Sequence, residues 1–212
     1  MRNIPVFSTE NGVGSLTLKE IPYKGIAYIK IADSQEPELF LKDCVDFCKA
    51  VGAENVYASG HSYLERYPKH TAIWRMCRPR EGMQDTDAAL FPVTETTLES
   101  WLELYNRAMK DVANASYMTF LDGRQMLKRG DGYFVHRGEV LLGIGIASGD
   151  TIDAVVSNCP GAGREVVPAL AHALSGEQVV LEVASVNERA VRLYERLGFM
   201  KTAEISCWYK II

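Results

Sequence analysis

Two side chains and one loop in the last third of the chain have residue types and spacing suited to chemistry. Glu182 sits inside the apolar run Val179-Val180-Leu181-Glu182-Val183-Ala184. A carboxylate in a buried strand is costly unless it is paired or used. Desolvation raises the pKa of such a group toward neutrality, which suits a general base. The alternative is a strand residue that faces an open cleft or a nearby arginine. Further on, Ala190, Leu193, Tyr194 and Leu197 share one helix face, so the Tyr194 ring turns inward while its hydroxyl needs a polar neighbour. Gly198 just past that helix suits a left-handed C-cap, and Phe199 turns back into the core. Upstream runs Asn158-Cys159-Pro160-Gly161-Ala162-Gly163, placed between a strand and a helix. Its glycines let the backbone come close to a ligand, and the helix start behind them offers free N–H groups to an anion. Arg164 adds positive charge there, whereas Pro160 removes one N–H.

These groups need elements to hold them. From Gly132 the pattern predicts three strands, over residues 132–136, 140–147 and 151–157, with turns at Arg137-Gly138-Glu139 and Ser148-Gly149-Asp150. Val166, Val167, Leu170, Ala173 and Leu174 then recur at helical spacing, and Gly176 closes that helix. A strand over 179–184, a helix over 187–197 and a last strand over 203–211 complete the half. The N-terminal part reads in the same order. Strands are expected over 5–9, 13–21 and 25–32, a helix over 37–50, a strand over 55–59, a short helical piece over 63–67 and a strand over 71–78. The order β-β-β-α-β-α-β thus occurs twice.

Residues 79–92 are acidic and turn-rich and read as a linker. Leu98, Trp101, Leu102, Tyr105 and Met109 then predict an amphipathic helix over 94–113, with Thr94 or Thr96 as its cap. A shorter helix is expected over 124–129. The division that follows is 1–80, a linker 81–92, and 93–212. The fold class is α/β, with mixed twisted sheets flanked by helices in two similar halves.

Composition narrows the partners. The net charge of −4 comes without a stripe of Lys and Arg, which argues against nucleic acid. The longest apolar runs fall far short of a membrane span, and the start Met1-Arg2-Asn3-Ile4-Pro5-Val6-Phe7-Ser8 lacks the apolar stretch and cleavage site of a leader. The five cysteines form an odd set without a CxxC pair, which fits a reducing compartment. Cys44 and Cys48 share a helix face and read as core thiols. No metal is expected, and a cytoplasmic location is. The row Arg189, Arg192, Arg196 reads as a solvated helix face with Glu188 placed to pair with Arg192. His61, His70, His136 and His172 show no ligand-like arrangement.

The run from Val180 to Phe199 resembles the strand–helix segment of GNAT acetyltransferases. There a strand is followed by Asn-x-x-Ala-x-x-x-Tyr-x-x-x-Gly-Phe, met here by Asn187, Ala190, Tyr194, Gly198 and Phe199. The lead-in Leu181-Glu182-Val183 looks like the branch that acetylates protein N-termini. The second signature of the family is a pyrophosphate loop, Arg/Gln-x-x-Gly-x-Gly/Ala, between strand and helix. Gly161 and Gly163 match it, while Asn158 stands where Arg or Gln is usual.

The resemblance implies a GNAT-like fold with acetyl-CoA as co-substrate, held in a splay between the 151–157 strand and the Glu182 strand. The cofactor-binding residues it implies are Val155, Val156, Ser157, Asn158, Gly161, Ala162, Gly163, Arg164, Asn187 and Tyr194, with backbone N–H groups of Val155-Val156-Ser157 on the acetyl carbonyl. It implies direct transfer to a primary amine in a ternary complex, with Glu182 as base and Tyr194 as acid. The N-terminal half has Asp33-Ser34-Gln35-Glu36-Pro37-Glu38 in place of the loop and resembles a degenerate GNAT half without cofactor. A packing and substrate-shaping role for it favours a small-molecule amine acceptor over a protein N-terminus. A homodimer is left open. The competing readings are a non-catalytic acyl-CoA-binding or regulatory module, and a nucleotide-binding protein using Gly161-Ala162-Gly163.

Overall fold

The computed structural model describes residues 5–212. Residues 1–4, part of the start read above for a leader and of the first strand's approach, lie outside them. The chain forms two compact units. The first runs up to Ile73 and is completed by Ile205–Ile212; the second is Trp74–Glu204. These units depart from the sequence division at its edges. Residues 74–80 group with the second unit, and the chain's last residues with the first.

The first unit opens with a hairpin, β1 (Val6–Thr9) and β2 (Gly12–Thr17), with Thr9 opposite Gly12 across the Asn11 turn. Residues 13–21 are not one strand, because a short helix α1 (Ile21–Lys24) interrupts at the Pro22 that fixes its first turn. Strand β3 (Ile26–Asp33) pairs antiparallel with β2 and parallel with β4 (Asn55–Ser59). Helix α2 (Pro37–Ala50) makes the parallel crossover between them, over the predicted residues. It buries Phe40, Leu41, Cys44, Val45 and Cys48 against Ala27, Ile29, Ile31, Val56 and Ala58. Burial pushes the Cys44 thiol up to about 12 and the Cys48 thiol up to about 11, so both are inert core groups. A 3₁₀ turn (Ser62–Arg66) follows, and the strand β5 (Lys69–Pro79) begins in this unit and ends in the second.

The second unit carries the site. Its first strand, β6 (Ala89–Pro92), lies inside the stretch read as a linker and pairs antiparallel with β7 (Gly132–Arg137). Between them come α3 (Leu98–Met109) and α4 (Phe120–Arg129). The remaining elements are β8 (Val140–Ser148), β9 (Thr151–Ser157), α5 (Gly163–His172), β10 (Gln178–Ala184), α6 (Glu188–Arg196) and β11 (Met200–Lys210), which runs on into the first unit. The strands from Trp74 onward follow the spatial order β11-β5-β10-β9-β8-β7-β6.

Helices cover both faces of this sheet. On one, Val166, Val167 and Leu170 of α5 and Tyr194 and Leu197 join Val179, Leu181, Val183 and Phe199. On the other, Leu98, Trp101, Leu102 and Tyr105 of α3 and Met126 of α4 meet Ile144, Ile146, Ala154 and Val156. No helix among the described residues is long and apolar enough to cross a membrane.

Candidate active site

The site is built where a ladder stops. β9 and β10 run parallel but pair only at Thr151↔Val180 and Ile152↔Leu181. Beyond that, β9 continues to Ser157 and β10 to Ala184 without pairing each other, so the two strands splay apart. An unpaired strand edge inside a sheet leaves backbone N–H and C=O groups without partners, and these are strong ligand-binding groups.

Register decides which amides point into the gap. The Asn158 N–H donates to the Leu142 carbonyl at 2.8 Å, and Val156 lies opposite Ile144. Antiparallel pairing alternates, so the Val156 and Asn158 amides face β8, while those of Val155 and Ser157 face the opening. Of the three residues implied as an acetyl-binding edge, Val156 therefore drops out. Its N–H is spent on the neighbouring strand, and its side chain is core.

The phosphate-loop candidate follows at the end of β9. Gly161 has φ of 84°, and a side chain there would meet open space. Gly163 begins α5, and a Cβ on it would lie 2.6 Å from Leu193 Cδ2 and 3.2 Å from Ser157 Oγ. A side chain at Gly163 would therefore displace the tip of Leu193. The Gly161 and Gly163 amides find no acceptor among the described residues, as expected of the unpaired donors at a helix start. Ala162 is buried beneath the loop and Arg164 is exposed beside it. Asn158 departs from its expected role, because its Nδ2 donates to the Leu141 carbonyl at 3.2 Å and is turned onto β8. Asn187 likewise serves its own helix, its Oδ1 accepting from the Ala190 N–H at 3.2 Å as the N-cap of α6.

Tyr194 is buried at 8% exposure, with its ring 5.8 Å from that of Phe199. The C-cap is as the sequence predicts: Gly198 takes φ of 84°, and the Phe199 N–H donates to the Tyr194 carbonyl at 2.9 Å. The Tyr194 hydroxyl has no hydrogen-bond partner among the described residues, and burial alone pushes its pKa up to about 12. The ring is buried, but the hydroxyl oxygen is not among the buried polar atoms left without a partner, so it keeps a path to solvent or to a ligand.

Glu182 is not desolvated. Alternation along β10 puts Val179, Leu181 and Val183 into the α5–α6 core and turns Glu182 to the α3–α4 face. Its side chain is 44% exposed, and Arg75 Nη2 donates to its Oε1 at 3.0 Å. The burial that underlay the general-base expectation is absent, and the alternative reading, a strand carboxylate beside an arginine, is the observed one. Arg75 belongs to β5 and gave no local signal. Glu182 and Tyr194 share no hydrogen bond and attach to opposite faces of the sheet.

The loop and the splay fit a cofactor with an anionic head and a carbonyl-bearing reactive group. The free Gly161 and Gly163 amides beside Arg164 could hold an anion, and the Val155 and Ser157 amides a carbonyl. No group of His, Cys, Asp and Glu side chains suited to a metal ion occurs among the described residues.

Known proteins share the architecture. A family model described as FR47-like protein matches residues 158–209, from the loop through β11. No curated protein matches. A protein of unknown function from Staphylococcus epidermidis superposes with TM-score 0.61 at 10% identity, covering 99% of this chain and 94% of that one. A GCN5-related N-acetyltransferase from Sphaerobacter thermophilus gives 0.59 at 12% identity, covering 93% and 75%. Another from Anabaena variabilis gives 0.61 at 13%, covering 94% and 59%. Likeness at these identities is a statement about architecture, and it is supported across the chain's length: the protein has the fold of the GCN5-related N-acetyltransferase (GNAT) superfamily.

Proposed function

We propose that the protein is an N-acetyltransferase that moves the acetyl group of acetyl-CoA directly to a primary amine in a ternary complex. The observation that carries this reading is the splay of β9 from β10, followed in the chain by the Gly161–Gly163 loop. Acetyl-CoA, when bound, supplies a thioester-activated acetyl group. The chain supplies the rest. Val155 and Ser157 amides offer hydrogen bonds to developing negative charge on a carbonyl oxygen, the term that usually contributes most in acyl transfer. Tyr194 Oη holds its proton across the neutral range and is the proton donor on the α5–α6 side. Glu182, on the other face, receives the acceptor's ammonium and takes its proton at a carboxylate oxygen, directly or through water. The first unit lacks a glycine loop, and Glu36 stands at the start of α2, so we assign it no cofactor.

Two observations favour a second reading, a non-catalytic acyl-CoA-binding module: Asn158 is turned away from the loop and Glu182 is tied to Arg75. Thiol release from acetyl-CoA over a panel of primary amines separates the two. Turnover that falls on the order of 10²-fold or more in Tyr194→Phe, as expected of a lost general acid, supports the enzyme. Tight acetyl-CoA binding with no turnover of any amine supports the module.

A further inference from the structure

The Arg75–Glu182 pair says what kind of amine fits. Both residues belong to the second unit, and both side chains are nearly half exposed, at 46% and 44%. Only one oxygen of the carboxylate is engaged. Glu182 Oε2 and the remaining guanidinium N–H groups of Arg75 have no protein partner among the described residues. An ion pair this exposed contributes little to stability, so its charges are readily re-partnered by a ligand. The pair lies on the face of the sheet opposite α5 and α6, at the first residue of β10 beyond its pairing with β9.

A ligand carrying only a positive charge meets Glu182 but is repelled by the guanidinium beside it. A ligand carrying only a negative charge meets the converse. A compound with an ammonium and a carboxylate on neighbouring carbons satisfies both at once, its ammonium on Glu182 Oε2 and its carboxylate on the planar donor fork of Arg75. Resting on the amine-acetyltransferase reading of this site, we infer that the acceptor is a zwitterionic amino acid, with Arg75 as the residue that binds its carboxylate. Acetylation then consumes a free amino acid or a close relative. The new C–N bond forms at the amine once Glu182 has taken one proton from the ammonium, the thioester C–S bond breaks as the sulfur takes a proton from Tyr194, and the second proton lost by the nitrogen returns to Tyr194 through water.

The test is calorimetric titration of amino acids and their decarboxylated counterparts (phenylalanine with phenethylamine, lysine with cadaverine, histidine with histamine, and so through the set) into the full chain. At least one amino acid should bind more tightly than its matched amine by about tenfold to hundredfold, the range of a charge-assisted hydrogen bond. Arg75→Gln should collapse that ratio toward unity, and Arg75→Lys should keep part of it. Failure of every amino acid to outbind its amine, binding by none included, overturns the inference, as does a ratio unchanged in a folded Arg75→Gln protein. Because binding is read without turnover, an amino acid that binds through Arg75 but is never acetylated would overturn its role as acceptor together with the acetyltransferase reading, whereas loss of the binding ratio alone overturns only this inference.

Discussion

At the scale of single residues, Tyr194 is the group whose chemistry is most exposed to measurement. Its pKa lies near 10 in an unfolded chain and at about 12 in the fold. Between those values the unfolded chain loses the proton first. The associated stability is therefore complete below pH 10 and declines as pH rises toward 12. Melting temperature against pH should fall in that window for the wild type, and by less for Tyr194→Phe; parallel curves would contradict the burial. Thiol titration gives a second check: Cys77, Cys159 and Cys207 are part exposed and should react readily, while Cys44 and Cys48 wait for unfolding. Tyr194 was legible in the sequence because its helix face and its Gly198 terminus are local, whereas the N-cap role of Asn187 emerged only in the fold. Arg75 was not, since nothing near residue 75 reveals that β5 lies against β10. The burial expected for Glu182 failed for a related reason: apolar neighbours in a strand alternate in direction, and only register tells which face is open.

Individual elements show where local signals suffice. Helix α2 spans the residues that its apolar spacing predicts, with Pro37 at its start. Helix α3 is shorter than its periodicity, because Thr94 and Thr97 form a hydrogen-bonded turn before it. Helix α4 starts earlier than expected, and the missed signal is a capping box in which the Thr119 hydroxyl accepts from the Asp122 N–H at 3.2 Å and Asp122 Oδ2 accepts from the Thr119 N–H at 3.0 Å. Thr119→Ala should lower stability by about 1 kcal/mol in denaturant unfolding, and no change would mean the cap carries no weight. Strand β6 was illegible because four residues between turns say little until β7 pairs with them. Close packing of α5 on β8 is checkable too. A Cβ at Gly145 would lie 2.3 Å from Leu170 Cδ1 and 2.9 Å from the Ala154 carbonyl, so Gly145→Ala should cost about 1–3 kcal/mol, as overpacked cores do.

For the whole molecule, the division into units was the least readable feature, because strand partners are far apart in sequence. The first unit needs the chain's last residues: Tyr209 lies opposite Ala58, the Ile211 N–H donates to the Val56 carbonyl at 2.9 Å, and Ile211 and Ile212 pack on its core. Removing residues 205–212 should therefore strip hydrogen-exchange protection from β3 and β4 while β8 and β9 retain theirs. Protection unchanged in β3 and β4 would contradict the assignment. The central claim is a cofactor site at the splay, and calorimetry with acetyl-CoA tests it most directly. Gly161 is the position to change, because Asp tolerates its left-handed backbone better than most residues and its side chain meets open space, whereas any side chain at Gly163 collides with Leu193. The account predicts binding by the wild type and a loss of about tenfold or more in a folded Gly161→Asp protein, from charge placed against the bound anion. No binding by the wild type, or equal binding by both, would contradict it.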